Sequence, residues 1–485
     1  MALLKRQLHL WHRWLGIASG LLVLLWFGSG IVMMYVPYPA LTEPERMAWL
    51  EPVDAAALRV SAADAWSWTG GQGMPQSVRL NSVGGRPAYH FLADGRWTSV
   101  WADTGADLQA SAGLAVASAR RAVEDSAASD PVKVALTGGD QWTFGPLKAH
   151  QPLYRITFDD AAGSVMYVSG RTGELVRDTT RSERAWNWAG SVIHWIYFTP
   201  LRTHGEPWRQ VVMWTSGVAF VLVLTGMVLG IWRLRLRRRY AGGRLSPYKG
   251  WAGWHHWLGL GVGIVTLTWL FSGWLSVTPF GLFSSPGLNQ QEKQAFAGAA
   301  LGSQDLAAPV AQVLLAAQRE GDVLEMEWRR VDGRLYLDTL GRTGRVLRDA
   351  QSGAALVSLP LEVLQHAVQA MRPNAPLQAE MLVRDDDYYY SHHRQASFPA
   401  LRARFLTPDE ATVYVDARSG RIVEYVDRYS KWNRWMFNAL HQMDLAPLRT
   451  RPVWDLLVIS LCLLGGVLAV TGLVLGWRRL QKQVR

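Results

Sequence analysis

Four long apolar runs constrain this chain more than any other feature: about Trp14–Tyr35, Val211–Trp232, Trp257–Pro279 and Val453–Trp477. Each exceeds the roughly 20 residues a helix needs to cross about 30 Å of hydrocarbon. Each is nearly free of charge, with Asp455 at an edge, and Trp and Tyr at their ends suit the interfacial belts of a bilayer. The 25 tryptophans and the 49 % hydrophobic fraction are thus bunched into membrane segments rather than gathered in one large water-soluble core.

The formal charge of +11 is unevenly spread. Lys5, Arg6 and Arg13 precede the first run. Arg233, Arg235, Arg237, Arg238, Arg239, Arg244 and Lys249 fill the short loop between the second and third. Arg478, Arg479, Lys482 and Arg485 follow the last. In a four-span protein these places share one side, which the positive-inside rule makes cytoplasmic. A juxtamembrane basic cluster of this kind is a topology signal, so nucleic-acid binding is not expected. Both termini are then cytoplasmic, and the regions Val36–Arg184 and Phe280–Tyr429 lie outside. The single cysteine, Cys462, sits within the fourth run, so no intrachain disulfide forms. An exported region without disulfides fits a bacterial periplasm, and the inner membrane is the expected location. The first run is too long for a cleaved signal peptide and has a counterpart mid-chain, so it is expected to be retained.

That counterpart belongs to an internal duplication. WHRWLG at Trp11–Gly16 returns as WHHWLG at Trp254–Gly259. Gly20 matches Gly263, and Ser29-Gly30 matches Ser272-Gly273. His194 with Pro200-Leu201-Arg202-Thr203 matches His441 with Pro447-Leu448-Arg449-Thr450. Thr225-Gly226 matches Thr471-Gly472. Each half reads as span, external domain, histidine segment, span, and both run in the same direction, which predicts two parallel pseudo-repeats about an axis along the membrane normal.

The resulting segments are a first helix over 1–36, an external region over 37–185, a histidine segment and second helix over 186–235, a basic loop over 236–250, a third helix over 251–280, a second external region over 281–430, and a histidine segment, fourth helix and tail over 431–485. The external regions read as α+β. TSVWADTGADL (Thr98–Leu108), VMYVSGRTGELV (Val165–Val176), LYLDTLGRTGRVL (Leu335–Leu347) and TVYVDARSGRIVEY (Thr412–Tyr425) are strand, Gly-containing turn and second strand. Ala-rich stretches near Ala112–Ala128 and Ala307–Gln318 read as helices packed on such sheets, with room for two small units in each region.

The turns around Ser169–Gly173 and Asp416–Gly420 resemble the PepSY domain. TGMVLGIWRLR, TGLVLGWRRL, DQWT (Asp140–Thr143), WNWAGSVIHWIYF (Trp186–Phe198), DDDYYYSHH (Asp385–His393) and RWMFNALHQMDL (Arg434–Leu445) resemble the PepSY-associated transmembrane proteins. The resemblance covers essentially the whole chain. It implies an α-helical integral membrane protein with four transmembrane helices and α+β PepSY-like periplasmic domains. Some members of the family are similar to inner-membrane reductases that carry heme and reduce periplasmic ferric siderophores.

A lone histidine at a membrane boundary can simply bond water or lipid phosphate. Here His12 and His255 occupy one repeated place, near the cytoplasmic ends of spans one and three, and His194 and His441 another, at the periplasmic entry of spans two and four. Pseudo-symmetry brings each pair to one membrane level. Two facing imidazoles can supply both axial ligands of a heme iron. Gly16 and Gly20, and likewise Gly259 and Gly263, follow His12 and His255 at i+4 and i+8, on the histidine's own helical face, where a flat ring needs room. Helix packing through small residues explains the glycines equally well, though not the histidines. The family resemblance favours heme b, two per chain. Arg202 and Arg449 are expected to pair heme propionates or lipid phosphates.

Asp385, Asp387, His392 and His393 are weaker metal candidates, since hard oxygens with imidazole can hold a divalent or ferric ion; an acidic turn leading into an aromatic strand reads equally well. His256 is expected to be second to His255 or exposed, and His90, His150 and His366 to be ordinary surface or loop residues. The sequence contains no phosphate-binding Gly loop, dinucleotide fingerprint or HExxH. With no flavin or nicotinamide domain in view, the electron donor is expected to be separate, a quinol or a cytoplasmic reductase. The leading reading is a heme-binding oxidoreductase that passes electrons across the membrane to a periplasmic acceptor, a ferric siderophore by resemblance. The alternative is a non-enzymatic envelope protein whose PepSY units bind or regulate a peptidase or a membrane partner.

Overall fold

The computed structural model describes residues 2–123, 130–391 and 395–484. They divide into two compact units: Met1–Tyr38 with Glu183–Ser284 and Tyr429–Arg485, and Pro39–Ser182 with Ser285–Arg428.

The first unit is built on four helices, Ala2–Met33, Gly205–Arg233, Gly250–Ser276 and Val453–Val484. Their apolar spans run to 31, 29, 27 and 30 residues. At about 1.5 Å of rise per residue each is long enough to cross about 30 Å of hydrocarbon. The first helix packs against the second and fourth, and the third packs against the same two. Small residues allow the close approaches. The Phe27 ring lies where a side chain on Gly465 would be, and a Cβ on Gly263 would stand 2.7 Å from Met227 Sδ. Phe27, Ala219, Leu270, Val458 and Cys462 share the core between the helices.

Among the described residues the second unit contains three antiparallel sheets. Strands β1 (Ser77–Val83), β2 (Arg86–Ala93) and β3 (Arg96–Trp101) form one meander. Strands β4 (Pro131–Thr137), β5 (Leu153–Phe158), β6 (Val165–Ser169) and β7 (Leu175–Thr179) form a four-stranded sheet. Strands β8 (Val323–Val331), β9 (Arg334–Gly341), β10 (Gly344–Asp349) and β11 (Ala355–Leu356) form a second meander. Strands β12 (Leu377–Leu382), β13 (Ala400–Phe405), β14 (Thr412–Asp416) and β15 (Ile422–Val426) form another four-stranded sheet. The two meanders join through β1 and β8 into one seven-stranded sheet, with Leu80 opposite Met326.

The predicted strand–turn–strand segments are hairpins β6–β7, β9–β10 and β14–β15; the one at Thr98–Leu108 is β3 followed by a single bridge from Val100 to Asp107. Asp94-Gly95 and Asp332-Gly333 turn β2 into β3 and β8 into β9, with both residues at positive φ, as a two-residue hairpin matched to strand twist requires. Helix Ala112–Arg120 covers the β4–β7 sheet through Ala115 and Ala119 on Ile156, Phe158 and Met166. That helix is shorter than predicted: 121–123 form a turn and bend, and 124–128 lie outside the described residues. Helix Leu361–Met371 covers β12–β15 through Leu364, Ala367 and Val368 on Leu401, Phe405 and Val413.

Strand alternation gives the seven-stranded sheet two unlike faces. Val78, Leu80, Phe91, Met326, Trp328 and Leu337 pack under Leu314 of helix Val310–Gln318. Arg79, Asn81, His90, Glu325, Glu327 and Asp338 take the intervening positions. There Glu174, from the β6–β7 turn, accepts from Arg79 Nη2 at 2.8 Å, Asn81 Nδ2 at 2.7 Å and Arg46 Nη2 at 3.2 Å. Glu325 accepts from Arg79 at 2.8 Å and also pairs with Arg46. Burial opposes both negative charges, but the guanidiniums outweigh it: Glu174 is held well below the usual carboxyl range and Glu325 at about 2. His90 corrects its reading as a surface residue. It is fully buried on β2, with Nε2 on Asn81 Oδ1 at 2.8 Å and Nδ1 on Ser99 Oγ at 2.7 Å, and burial lowers its pKa to about 4.

Candidate functional site

His12 on the first helix and His255 on the third lie with ring centres 6.1 Å apart. These two helices share no side of the packing ring, so the imidazoles meet across its middle. Each is set against a glycine of the helix beside it. A Cβ on Gly226 would come within 2.5 Å of His12 Cε1, and one on Gly472 within 3.1 Å of His255 Cε1. Nδ1 of His12 lies 3.0 Å from the Leu222 carbonyl oxygen. Nδ1 of His255 lies 2.9 Å from Thr471 Oγ1, whose own hydrogen goes to the Leu468 carbonyl at 2.7 Å.

His194 and His441 form a second pair, with ring centres 6.2 Å apart. Each follows a π-helical turn, Trp188–Val192 and Arg434–Ala439, a geometry frequent at functional sites. Each is followed two residues later by a non-glycine at positive φ, Ile196 at 55° and Met443 at 51°. One residue past each histidine an indole holds the backbone: Trp208 Nε1 donates to Trp195 O at 2.9 Å and Trp454 Nε1 to Gln442 O at 2.8 Å. His194 Nδ1 meets Ser29 Oγ at 3.0 Å. His441 Nδ1 meets Ser272 Oγ and the Trp269 carbonyl, both at 3.1 Å. Gly30 and Gly273 face the two rings, with a Cβ there 3.7 Å and 3.1 Å from the respective Cε1.

These bonds set the tautomers. A carbonyl only accepts, so His12 Nδ1 carries the proton. The hydroxyls of Ser29, Ser272 and Thr471 point their hydrogens at the Trp26, Trp269 and Leu468 carbonyls, so they too accept from Nδ1. Nε2 of each ring is then the lone-pair nitrogen, and among the described residues no hydrogen bond occupies it. Along the first helix, 17 residues separate His12 from Ser29, about 26 Å of rise, nearly the thickness of the hydrocarbon layer. The two pairs therefore mark opposite ends of the bundle.

The family model for the PepSY-associated TM region matches residues 9–343. The chain belongs to that family. The match takes in His12, His194 and His255 and ends before His441. No curated protein matches the chain.

Other residues singled out in this PepSY-associated protein stand elsewhere. Gly16 and Gly259 face Leu222 Cδ1 and Leu468 Cδ1, 3.5 Å and 3.9 Å from an added Cβ. Arg202 lies over the Tyr197 and Trp208 rings at 4.5 Å and 4.9 Å. Arg449 Nε donates to the buried Asp444 carboxylate at 2.7 Å. His256 is buried, with Nε2 on the Gly230 carbonyl at 3.0 Å. Asp385 accepts from the Ser391 amide at 3.1 Å. Asp387 stands in the same turn, and His392 and His393 lie outside the described residues. Among the described residues no group of three or more His, Cys, Asp and Glu side chains gathers as a metal site.

Gly226, Gly472, Gly30, Gly273, Ser29, Ser272 and Thr471 are the residues that reading the histidine helices alone misses. Their signal is present, because all belong to matched pairs in the duplication, but they lie on the facing helix.

The two histidine pairs fit heme. A metal between two imidazoles, with bonds of about 2.0–2.1 Å, puts the ring centres about 6 Å apart, and the observed separations are 6.1 and 6.2 Å. A metal site completed by protein alone takes three or four donors. Two imidazoles with bare Nε2 atoms and glycines against the rings suit an iron whose other positions a macrocycle fills.

Proposed function

We propose that this PepSY-associated protein is a membrane electron-transfer protein, an oxidoreductase that holds one heme b between His12 and His255 and another between His194 and His441. The observation that supports it most is the repeated arrangement: two imidazole pairs at metal-bridging separation, each ring fixed through Nδ1. Bound there, heme would supply one-electron redox chemistry. The protein's share is to hold each ring at a fixed height, keep Nε2 deprotonated, and exclude water with the apolar packing around Phe27 and Leu270. The end carrying Lys5, Arg6 and the Arg233–Lys249 loop would face the cytoplasm and the separate donor. The acceptor would be periplasmic. A ferric chelate suits one-electron delivery, because ferrous iron is held less tightly by hard oxygen ligands.

The test is the absorbance spectrum of the full chain purified from heme-sufficient cells. A Soret band with two hemes per chain supports the reading. A protein that is folded and colourless, and stays so after heme is added, rejects it.

A further inference from the structure

We propose that the loop between the second and third membrane helices is a binding site for an anionic phospholipid. Arg237, Arg238 and Arg239 hold its phosphate, and Leu236 packs on its chains. The inference stands apart from the heme reading and requires only that the four apolar helices lie in a bilayer.

The loop folds back on itself as a hairpin. Arg235 N donates to Leu245 O at 3.0 Å, Tyr240 N to Arg244 O at 2.9 Å and Gly243 N to Tyr240 O at 3.1 Å. The Tyr240 hydroxyl ties the hairpin to the helix end, donating to Arg233 O at 3.0 Å. Basic residues beside a membrane helix direct topology by their charge alone, so that role does not account for a built hairpin.

Its charges fall into two sets. Arg235 stacks on Tyr240 at 4.3 Å, Arg244 Nε donates to Ala241 O at 3.2 Å, and Arg233 Nη2 lies 3.3 Å from His9 Nε2. Arg237, Arg238 and Arg239 instead stand exposed in a row. Among the described residues no hydrogen bond, ion pair or ring holds their side chains. Within the helical unit no carboxylate stands near them. The chain has no Asp or Glu between Met1 and Thr42, between Pro207 and Gln291, or after Asp455. Glu206 and Asp455 open the second and fourth helices, at the far end of the bundle. Three adjacent guanidiniums repel one another and are relieved by an anion with several acceptor oxygens. Phosphate is such a group, and it takes two N–H bonds from one guanidinium.

The neighbours of these arginines select a lipid. Leu236, directly before them, is 69 % exposed, and Trp232 and Trp251, at the helix ends that flank the loop, are 45 % and 42 % exposed. Indoles at helix ends mark the membrane–water interface. A phospholipid sets a phosphate above apolar chains, which Leu236 and the three arginines can meet together. An acidic protein surface would match the arginines and leave Leu236 in water.

Native mass spectrometry of the full chain in detergent, titrated with phosphatidylglycerol or phosphatidylcholine, tests this. Arg237→Gln, Arg238→Gln and Arg239→Gln combined should weaken phosphatidylglycerol binding on the order of 100-fold and leave phosphatidylcholine binding unchanged. Leu236→Ser should weaken phosphatidylglycerol binding about tenfold. Arg478→Gln, Arg479→Gln and Lys482→Gln combined remove the same charge from the tail and should leave it as in the parent. If the triple loop variant does not insert, Arg238→Gln alone serves, with a loss of about fivefold. Equal losses in the loop and tail variants, or unchanged phosphatidylglycerol binding in the loop variants, overturn the proposal. So does a parent that binds polyglutamate but not phosphatidylglycerol, the mark of an acidic-protein surface, or one that binds free glycerol phosphate but not the lipid.

Discussion

Gly226 lies so close beneath His12 that a methyl group on it would stand 2.5 Å from the imidazole Cε1 and 3.0 Å from Nδ1. Real carbon contacts begin at about 3.5 Å, so a side chain there must displace the ring. Gly259 has about 3.9 Å to its nearest neighbour, the end of a leucine side chain, and tolerates a methyl.

The first prediction follows from that contrast. Gly226→Ala should strip heme from the His12–His255 pair while the His194–His441 pair stays loaded; Gly259→Ala should keep both. Heme per protein, with membrane yield measured alongside, is the readout. If Gly259→Ala is the more damaging change, the ring contacts described here are not what shapes the site.

A second prediction concerns two arginines of the helical unit. Arg449 neutralises Asp444, a carboxylate only 1 % exposed. Arg449→Ala removes a charge-assisted hydrogen bond to that buried carboxylate, a loss of about 1.5–3 kcal/mol. Arg202 faces two aromatic rings, and Arg202→Ala should cost about 0.5–1 kcal/mol. Thermal melts in detergent should rank them in that order, with Arg449→Ala the lower.

A third prediction concerns pH in the sheet unit. His90 is neutral in the fold, with its pKa lowered from the ordinary value of about 6.5 to about 4. The unfolded chain gains a proton there first, so this stability is whole above about pH 6.5 and lost as pH falls toward 4, on the order of 3 kcal/mol. Glu325, depressed to about 2, adds stability that is present above its unfolded pKa and lost as pH falls further. Hydrogen exchange at the Leu80 and Met326 amides, corrected for intrinsic rate, should accelerate from pH 6.5 downward. His90→Asn should flatten the upper part of the curve; an unchanged curve would remove His90 from the explanation.

The four membrane helices are legible because a lipid-crossing helix has a one-dimensional signature, length and absence of charge. Hairpins β6–β7 and β14–β15 are legible because their turns carry Ser, Gly and Arg between alternating residues. The β1–β8 seam is not, because strands so distant in sequence leave no local trace of their pairing. His90 looked ordinary because nothing nearby in sequence shows that the polar face of β2 is covered. Ile196 and Met443 give no hint of positive φ, a conformation expected of glycine, so the bends after His194 and His441 are set by tertiary packing. The sequence identifies the four histidines by their repetition, whereas the atoms beside each ring come from a neighbouring helix that only the fold brings there.

The pairing of those histidines is the central claim, and electron paramagnetic resonance of the oxidised protein tests it most directly. The parent should give two low-spin bis-imidazole signals. His12→Ala and His255→Ala should each abolish one of them, and His194→Ala and His441→Ala the other. Loss of the same signal in His12→Ala and His194→Ala, or a parent protein with no low-spin heme signal, would contradict it.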